Sequence, residues 1–246
     1  MENPTYIALS RLDAQQRTMD VIAGNIANAN TVGYKAERVL FSDFLVRQQS
    51  THAAPGGEVL SFTQDRARYR DHSAGSLTQT GNPLDLALGG SGYFSVQTPN
   101  GTRLTRSGRF GLMADGTIAD SSGNALLDTS GSPIQLPAGD SRIQVAADGT
   151  ISGNNGQIAK VGVVEVSDVN QLFPEGGKLY RSDITPQPAA QAKIVQGAVE
   201  ESNVQPITEL TQMMQTERNF QFVSQFVQSE ADRQQSTIDK ITQTQT

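Results

Sequence analysis

The chain has 246 residues, of which 36% are apolar and 6% aromatic, so we expect a core that does not include the whole chain. It contains no cysteine, which excludes disulfides, thiol nucleophiles and cysteine-ligated metal. Its net charge of −6 argues against nucleic acid or an anionic membrane surface as the main partner.

The first predicted element is a helix over residues 4–29. Pro4 suits the first helical turn, where its missing N–H is not needed. Apolar residues then recur at alternating spacings of three and four, which places them in one narrow stripe along the helix. The residues that we expect at a helix interface are Leu9, Leu12, Met19, Ile22 and Ile26.

The stretch NIANANTVGYK (25–35) follows and contains three asparagines and a glycine. Gly33 can adopt positive φ, so we expect the helix to end here and the chain to turn. Asparagine side chains both donate and accept hydrogen bonds, so Asn25, Asn28 and Asn30 are predicted to cap the helix end or to contact other subunits. We assign residues 1–35 to the N-terminal helix.

The next segment, residues 36–74, has mixed signals and is predicted to be a linker with irregular or extended structure. VLFSDFLV (39–46) has apolar residues at both helical and strand spacings. STHAAPGGE (50–58) contains proline and adjacent glycines, which are typical of a loop.

Residues 75–196 are predicted to form an antiparallel β domain. Short apolar runs such as YFSV (93–96) and VGVVEV (161–166) are separated by turn signals. Pairs such as Asn100-Gly101 and Asp115-Gly116 favour tight hairpin turns, because the central residues of those turns need positive φ.

Residues 197–246 return to a helical pattern. Glycine and proline do not occur after Ile207, and apolar residues again alternate at spacings of three and four. The predicted interface residues in this segment are Leu210, Met213, Phe220, Val227, Ile238 and Ile241. The fold class is therefore mixed: an all-β central domain flanked by N- and C-terminal α-helices, which we expect to pair as a coiled coil.

The sequence offers no convergent catalytic or metal-binding pattern. His52 and His72 lie in polar, loop-like stretches, without an adjacent nucleophile or a metal-ligand spacing. GGSG (89–92) lacks the lysine and the following helix of a phosphate-binding loop, and the aspartates fit turn positions better than a calcium loop. We therefore expect no enzymatic activity, no cofactor and no metal site.

Three separated stretches resemble signatures of the bacterial flagellar rod and hook protein family. They are LDAQQRTMDVIAGNIANANTVGYKAERVLF (12–41), GSLTQTGNPLDLALGGSGYFSVQTPNGTRLTRSGRFGLMADGTI (75–118) and GAVEESNVQPITELTQMMQTERNF (197–220). They occur in the family's order and anchor nearly the whole chain. YIALSR (6–11) and TQDRARYRDHSAGSLTQTGNPLDLAL (63–88) are most similar to proximal rod members of the family, with distal rod members as the alternative.

The resemblance implies a structural subunit of the basal-body rod, which transmits motor torque, with the paired terminal helices as an inner coiled-coil domain. The implied partners are proximal and distal rod proteins, copies of the chain itself, and the flagellar type III export apparatus in transit. The implied location is the rod in the periplasmic space, reached without a cleavable signal peptide. MENPTYIALSRLDAQQ (1–16) agrees with this expectation, since it lacks a basic stretch followed by an apolar run.

A different class of protein stays open as an alternative: a periplasmic glycan-binding or peptidoglycan-active β-domain protein with helical arms. The lack of a convergent acid/base group argues against it. Uninterrupted apolar runs are too short for a transmembrane helix, so we do not expect an integral membrane protein.

Overall fold

A computed structural model describes residues 3–48, 58–137, 142–176, 178–189 and 192–243. Helix α1 (Asn3–Ala27) comes first, helix α2 (Pro206–Gln243) comes last, and strands occupy much of the chain between them. This confirms the predicted β-rich middle flanked by two helices. The chain divides into two compact units. The helical unit comprises Met1–Ala27, Glu37–Asp71 and Gln205–Thr246, and the β unit comprises Asn28–Ala36 and His72–Val204.

Both helices form where the sequence has few helix breakers. α1 places Pro4 in its first turn and Gly24 near its end, and α2 has neither residue type after Pro206. At about 1.5 Å per residue, the 38 residues of α2 extend about 57 Å and the 25 residues of α1 about 38 Å. Across the described residues, no helix combines the length and the apolar character needed to cross a membrane.

Within the helical unit, α1 lies against α2. Asn25 is hydrogen-bonded to Glu209, and Thr18 and Ile22 line a cleft together with residues from the 211–216 segment of α2. Later residues of α1 thus meet earlier residues of α2, so the two helices run antiparallel. Because α2 is the longer helix, its last turns extend past the beginning of α1.

Two long strands complete the helical unit. β1 (Glu37–Gln48) pairs antiparallel with β2 (Glu58–Arg70), and both strands contact α1. Glu37 lies opposite Arg70 at one end of the pair. The register of the pair shifts between Leu40 and Phe41.

These strands lie in the segment 36–74, for which the sequence predicts a linker with irregular or extended structure. Their pairing cannot be read from VLFSDFLV (39–46), because its apolar residues suit two periodicities and its partner lies beyond a loop. The predicted loop at 50–58 falls outside the described residues apart from Glu58, and His52 also falls outside them.

The β unit is built from short strands in antiparallel pairs. Its strands are β3 (Leu77–Gln79), β4 (Leu86–Gly89), β5 (Tyr93–Thr98), β6 (Gly101–Thr105), β7 (Phe110–Leu112), β8 (Ile118–Asp120), β9 (Ala125–Leu126), β10 (Gln144–Val145), β11 (Thr150–Gly153), β12 (Gly156–Lys160), β13 (Val163–Glu165), β14 (Leu172–Glu175), β15 (Leu179–Ser182), β16 (Gln187–Pro188), β17 (Lys193–Gln196) and β18 (Ala198–Glu200). The main sheet has the order β14-β15-β6-β5-β9-β8-β7, and β13 joins β16 to β5. The smaller sheets are β10-β11-β12, β4-β17 and β3-β18.

Tight turns in the β unit fall at the predicted glycine pairs. Gly101 and Gly116 have φ angles of 100° and 84°, but Asn100 and Asp115 do not have positive φ. The predicted turn type with positive φ at both central residues is therefore wrong, and only the glycine of each pair adopts the left-handed conformation. The Asp115 carboxylate accepts the backbone N–H of Thr117 at 3.0 Å. This aspartate therefore stabilises a turn, as predicted.

The last strands of the β unit pair with its first strands. β17 pairs with β4 and β18 pairs with β3, so residues 193–200 close the unit around a core that includes the fully buried Phe94, Val96 and Leu126. The unit extends beyond the predicted range 75–196 at both ends, because Asn28–Ala36 and 197–204 pack into it.

Candidate assembly interface and buried junctions

On α1, the predicted apolar stripe is only partly covered. Ile22 is buried, whereas Leu9 is 57% exposed. The half-buried members are Leu12, Met19 and Ile26. Other buried positions are Ala8, Ala14, Val21 and Asn25. α1 contacts both α2 and the β1–β2 pair. Its buried surface is therefore wider than a single stripe of residues spaced three and four apart, and Leu9 lies outside that surface.

On α2, the less exposed positions also differ in part from the predicted stripe. Met213, Phe220 and Val227 are half-buried, whereas Leu210, Ile238 and Ile241 are exposed. The less exposed series is Glu209, Met213, Thr216, Phe220, Val223, Val227 and Glu230, at alternating spacings of four and three. Every residue from 231 to 241 is exposed, since α2 there extends past the beginning of α1.

The two helices also expose large apolar side chains. They are Tyr6 and Leu9 on α1 and Ile207, Leu210, Met214, Phe222, Phe226, Ile238 and Ile241 on α2. Exposed apolar surface of this extent is typical of contact with another protein. We refer to these side chains together as the helix interface.

A buried polar cluster connects three elements of the helical unit. This helix junction consists of Asn25, Glu37, Arg38 and Glu209, and both Asn25 and Glu209 are 0% exposed. The Asn25 amide N–H groups donate to the Glu37 carbonyl at 2.9 Å and to Glu209 Oε2 at 3.2 Å. Asn25 Oδ1 accepts the Glu37 N–H at 2.8 Å. The Asn25 side chain therefore both accepts from and donates to the backbone of one β1 residue, and it also donates a hydrogen bond to α2.

Both carboxylate oxygens of Glu209 have partners. Oε2 accepts from Asn25, and Oε1 accepts from Arg38 Nη1 at 2.6 Å. Glu209 also lies in the first turn of α2, where the helix dipole favours negative charge. The buried charge is thus compensated by an ion pair, a hydrogen bond and the helix itself.

The remaining residues of the predicted turn belong to the β unit. The Asn28 carbonyl accepts the Thr31 N–H at 3.0 Å, and its Oδ1 accepts the Thr31 hydroxyl at 3.2 Å, so Asn28 stabilises the turn locally. Asn30 is exposed. Gly33 has a φ of 71°, which confirms the predicted positive φ, and its N–H donates to the Glu200 carbonyl at 2.7 Å.

A second buried polar cluster, the β junction, consists of Lys35, Gly75, Arg106 and Glu200. Glu200 Oε1 accepts from Lys35 Nζ at 2.6 Å and from the Gly75 N–H at 3.0 Å. Glu200 Oε2 accepts from Arg106 Nε at 2.5 Å. All three charged side chains are buried, and both cations form ion pairs with the same carboxylate.

Ionic hydrogen bonds keep this carboxylate charged. Burial by itself raises the pKa of Glu200, but the hydrogen bonds from Lys35, Arg106 and the Gly75 N–H outweigh burial and hold the pKa below its ordinary value. The β junction therefore contains an ionised glutamate at neutral pH.

The Arg106 side chain also holds the glycine-rich GGSG stretch (89–92) in place. Its Nη1 donates to the Gly92 carbonyl at 2.5 Å, and its Nη2 donates to the carbonyls of Gly90 at 2.6 Å and Leu88 at 3.2 Å. The stretch is therefore a turn between β4 and β5 whose carbonyl groups are hydrogen-bonded to Arg106. This agrees with the sequence analysis, which favoured a turn over a phosphate-binding loop.

A cleft of about 290 Å³ in the β unit is lined in part by His72, Ser91, Tyr93 and Val166. The Tyr93 hydroxyl lies 2.9 Å from His72 Nδ1. Burial raises the pKa of Tyr93 above its ordinary value, so the hydroxyl stays protonated and serves as a structural hydrogen-bonding group. In the described ranges, no group of three or more histidine, aspartate or glutamate residues could hold a metal ion.

Sequence reasoning did not single out Lys35, Arg106, Glu200 or Glu209. Each is a charged residue within one of the three stretches that carry the family resemblance. Their separations in sequence are 165 residues between Lys35 and Glu200 and 94 between Arg106 and Glu200. A charge among apolar and small residues indicates that a partner is needed, but one sequence does not identify a partner so far away.

Replacing Gly33 with alanine is expected to destabilise the β unit by about 1–3 kcal/mol. An added Cβ would lie 2.4 Å from the backbone of Arg106 and Ser107, and the φ of 71° is unfavourable for alanine. Gly24→Ala is the matched control, because nothing lies within 4 Å of a Cβ there and alanine is favoured over glycine in a helix by about 1 kcal/mol. Urea unfolding of both variants measures the effect, and equal midpoints would contradict the close approach at Gly33.

Comparison with known proteins gives matches to three family models. Residues 6–35 match the model described as flagella basal body rod protein. Residues 87–153 match the flagellar hook protein FlgE/F/G D1 domain. Residues 195–240 match the flagellar basal body rod FlgEFG protein C-terminal model. The three matches overlap the three stretches that carry the resemblance.

Relatives match nearly the full length of the chain. The chain is 33% identical to the flagellar basal-body rod protein FlgF of Caulobacter vibrioides, over 98% of both chains. It is 33% identical to FlgF of Mesorhizobium japonicum over 97% of both chains. It is 31% identical to the flagellar basal-body rod protein FlgG of Bacillus subtilis, over 90% of this chain and 92% of that one. By this full-length similarity, the chain belongs to the family of flagellar basal-body rod proteins.

Proposed function

We propose that the chain is a structural subunit of the proximal part of the flagellar basal-body rod, which transmits torque from the motor. The observation that carries this proposal is the full-length similarity to proteins named as basal-body rod proteins, with 33% identity to FlgF over 98% of the chain. The distal rod protein is the alternative, because FlgG relatives are 31% identical over 90% of the chain.

The helix interface is the surface that this function would use. We propose that α1 and α2 pair as a coiled coil in an inner domain of the assembled rod, formed by Asn3–Ala27 and Pro206–Gln243. Exposed Leu9, Leu210 and Ile238 would then be covered by neighbouring rod subunits or by further copies of this chain. Each large apolar side chain that becomes fully buried contributes about 1.5–3 kcal/mol toward assembly. Contacts of this type that do not close into a ring build an open helical structure.

The family also supports a route and a location. We propose that the chain reaches the periplasmic part of the rod through the flagellar type III export apparatus and without a cleavable signal peptide. In this role the protein is a structural component and not an enzyme. The charged groups at the two junctions hold segments of the chain together, which agrees with a structural role.

The test is complementation of a flagellated host whose own FlgF gene is deleted. Leu9→Asp and Leu210→Asp place a charge on the helix interface at exposed positions, so the monomer should keep its helical circular dichroism while swimming and rod assembly are lost. Leu112→Asp is the matched control, since Leu112 is similarly exposed but lies on β7 of the β unit. It should complement like the wild-type chain.

A parallel FlgG deletion separates the proximal from the distal assignment. Rescue of the FlgG strain instead of the FlgF strain would make this chain a distal rod subunit. If Leu9→Asp and Leu210→Asp complement as well as Leu112→Asp, the helix interface is not the assembly surface.

A further inference from the structure

The seam between α1 and α2 contains little that would fix the relative position of the two helices. Its cleft, about 370 Å³ in volume, is lined by Thr18 and Ile22 of α1 and by Thr211, Gln212, Gln215 and Thr216 of α2. The α2 side of this cleft carries uncharged polar side chains, two threonines and two glutamines. None of these side chains is charged, so the cleft itself supplies no ion pair that would oppose a slide of one heptad, about 10 Å along the helix.

The helix junction differs from the rest of the seam, because its partners are specific. Asn25 lies two turns beyond Thr18 on α1, and Glu209 lies two turns before Thr216 on α2, so both residues belong to the seam. In the observed register the Asn25 amide meets the Glu209 carboxylate at 3.2 Å. A slide in one direction would carry Glu209 past the end of α1, and a slide in the other would place it opposite Thr18.

Both members of this pair are also held in place from outside the seam. Asn25 is fixed by two hydrogen bonds to the backbone of Glu37, and Glu209 is fixed by Arg38 at 2.6 Å. Glu37 and Arg38 are consecutive residues of β1, so one strand end positions both helices. A slide would leave a fully buried carboxylate and a fully buried amide without each other, which costs far more than mismatching exposed polar residues.

We propose that the Asn25–Glu209 pair, positioned by β1, sets the antiparallel register of α1 and α2. This inference rests on the helix pairing proposed above. Buried polar residues in a helix seam are known to select one register at some cost in stability, and the pair has that character here. Asn25 and Glu209 are positioning residues: they select which arrangement of the helices forms, whereas the apolar seam residues supply most of the burial.

The test uses the full-length chain, which has no cysteine of its own. A short bifunctional thiol crosslinker reports the native register through the pair T18C and T216C. It reports a slide of one heptad through the pair T18C and V223C. In the otherwise wild-type chain, we expect the native crosslink to exceed the shifted one by about tenfold. In the N25L/E209L background, we expect the two yields to become similar.

The Q15L background is the matched control. Gln15 is a partly buried polar residue of α1 whose Oε1 accepts no hydrogen bond from the described residues, so its loss should leave the preference for the native crosslink intact. Should N25L/E209L lose its helical circular dichroism, the single variant E209M removes the carboxylate with little change in volume. It too should lose the preference.

The outcomes separate this inference from the proposed function. A preference that survives in both N25L/E209L and E209M overturns the register role and leaves the helix pairing intact. A wild-type chain that gives neither crosslink overturns the pairing itself, and with it the proposed coiled-coil interface. A loss of preference in Q15L equal to that in N25L/E209L would show that the register does not depend specifically on the Asn25–Glu209 pair, which also contradicts the proposal.

Discussion

Replacing Glu200 with leucine is expected to lower the free energy of unfolding of the β unit by about 3–5 kcal/mol, a large part of ordinary domain stability. The change removes the buried carboxylate that forms ion pairs with both Lys35 and Arg106, and removing one partner of a buried ion pair is strongly destabilising. Urea unfolding followed by near-ultraviolet circular dichroism measures this effect. The chain has no tryptophan, and the buried Tyr93 and Tyr180 both belong to the β unit, so the tyrosine signal reports on it.

The matched control is the neighbouring residue. Glu201 is only half-buried, so Glu201→Leu should change the free energy of unfolding by about 1 kcal/mol or less. Equal losses in the two variants would mean that the charge cluster does not hold the β unit together.

The lowered pKa of Glu200 also predicts how the free energy of unfolding of the β unit depends on pH. Because the folded-state pKa of Glu200 lies below its ordinary value of 4.5, its stabilising contribution is fully present above that value and is lost as the pH falls through the lowered folded-state pKa. The wild-type chain should therefore lose stability more steeply than Glu200→Gln below pH 4.5. Parallel profiles would contradict the ionic contribution.

A chain that ends after Gln205 should keep a folded β unit, whereas a chain that ends after Gln196 should not. The two differ in residues 197–205, which supply β18 as the partner of β3, the carboxylate of Glu200 and the fully buried Val199. Loss of the carboxylate costs about 3–5 kcal/mol, and loss of one buried valine adds about 1.5–3 kcal/mol. Together these approach the total stability of an ordinary domain, about 5–15 kcal/mol.

Both truncated chains lack α2, so the helical unit is affected equally and the comparison isolates the nine-residue difference. Near-ultraviolet circular dichroism and limited proteolysis are the measurements. A cooperative unfolding transition at the same urea concentration in both chains would show that β17 alone closes the β unit, and that the β junction is dispensable.

The helices were predictable because helix formation depends on neighbouring residues. The predicted helix over residues 4–29 corresponds to α1 at Asn3–Ala27, and the helical pattern after Ile207 corresponds to α2 at Pro206–Gln243. Breakers, first-turn proline and apolar spacing all act within a few residues. The turn at Gly33 was predictable for the same reason, since positive φ is a local property of glycine.

The candidate site was predictable only in outline. The spacing of apolar residues by three and four predicted interface positions on both helices. Four of them are at least half-buried, namely Ile22, Met213, Phe220 and Val227. Leu9 was predicted by the same spacing and is mostly exposed. The stripe identifies apolar residues on a face, but the elements that pack on the helix decide which of them are covered. The pairing of β1 with β2 adds a second contact to α1, and the sequence pattern of that segment does not reveal it.

The sequence by itself determined the helical ends, the β-rich middle, the main turns and the family, because each of these depends on local pattern or on motifs read in order. Only the tertiary structure decided which helix faces are covered and which buried charges are paired. Asn25 and Glu209 are 184 residues apart, and Lys35 and Glu200 are 165 apart. The free energy of such pairs exists only once both segments have been brought together and removed from water, so no local feature of either segment specifies its partner.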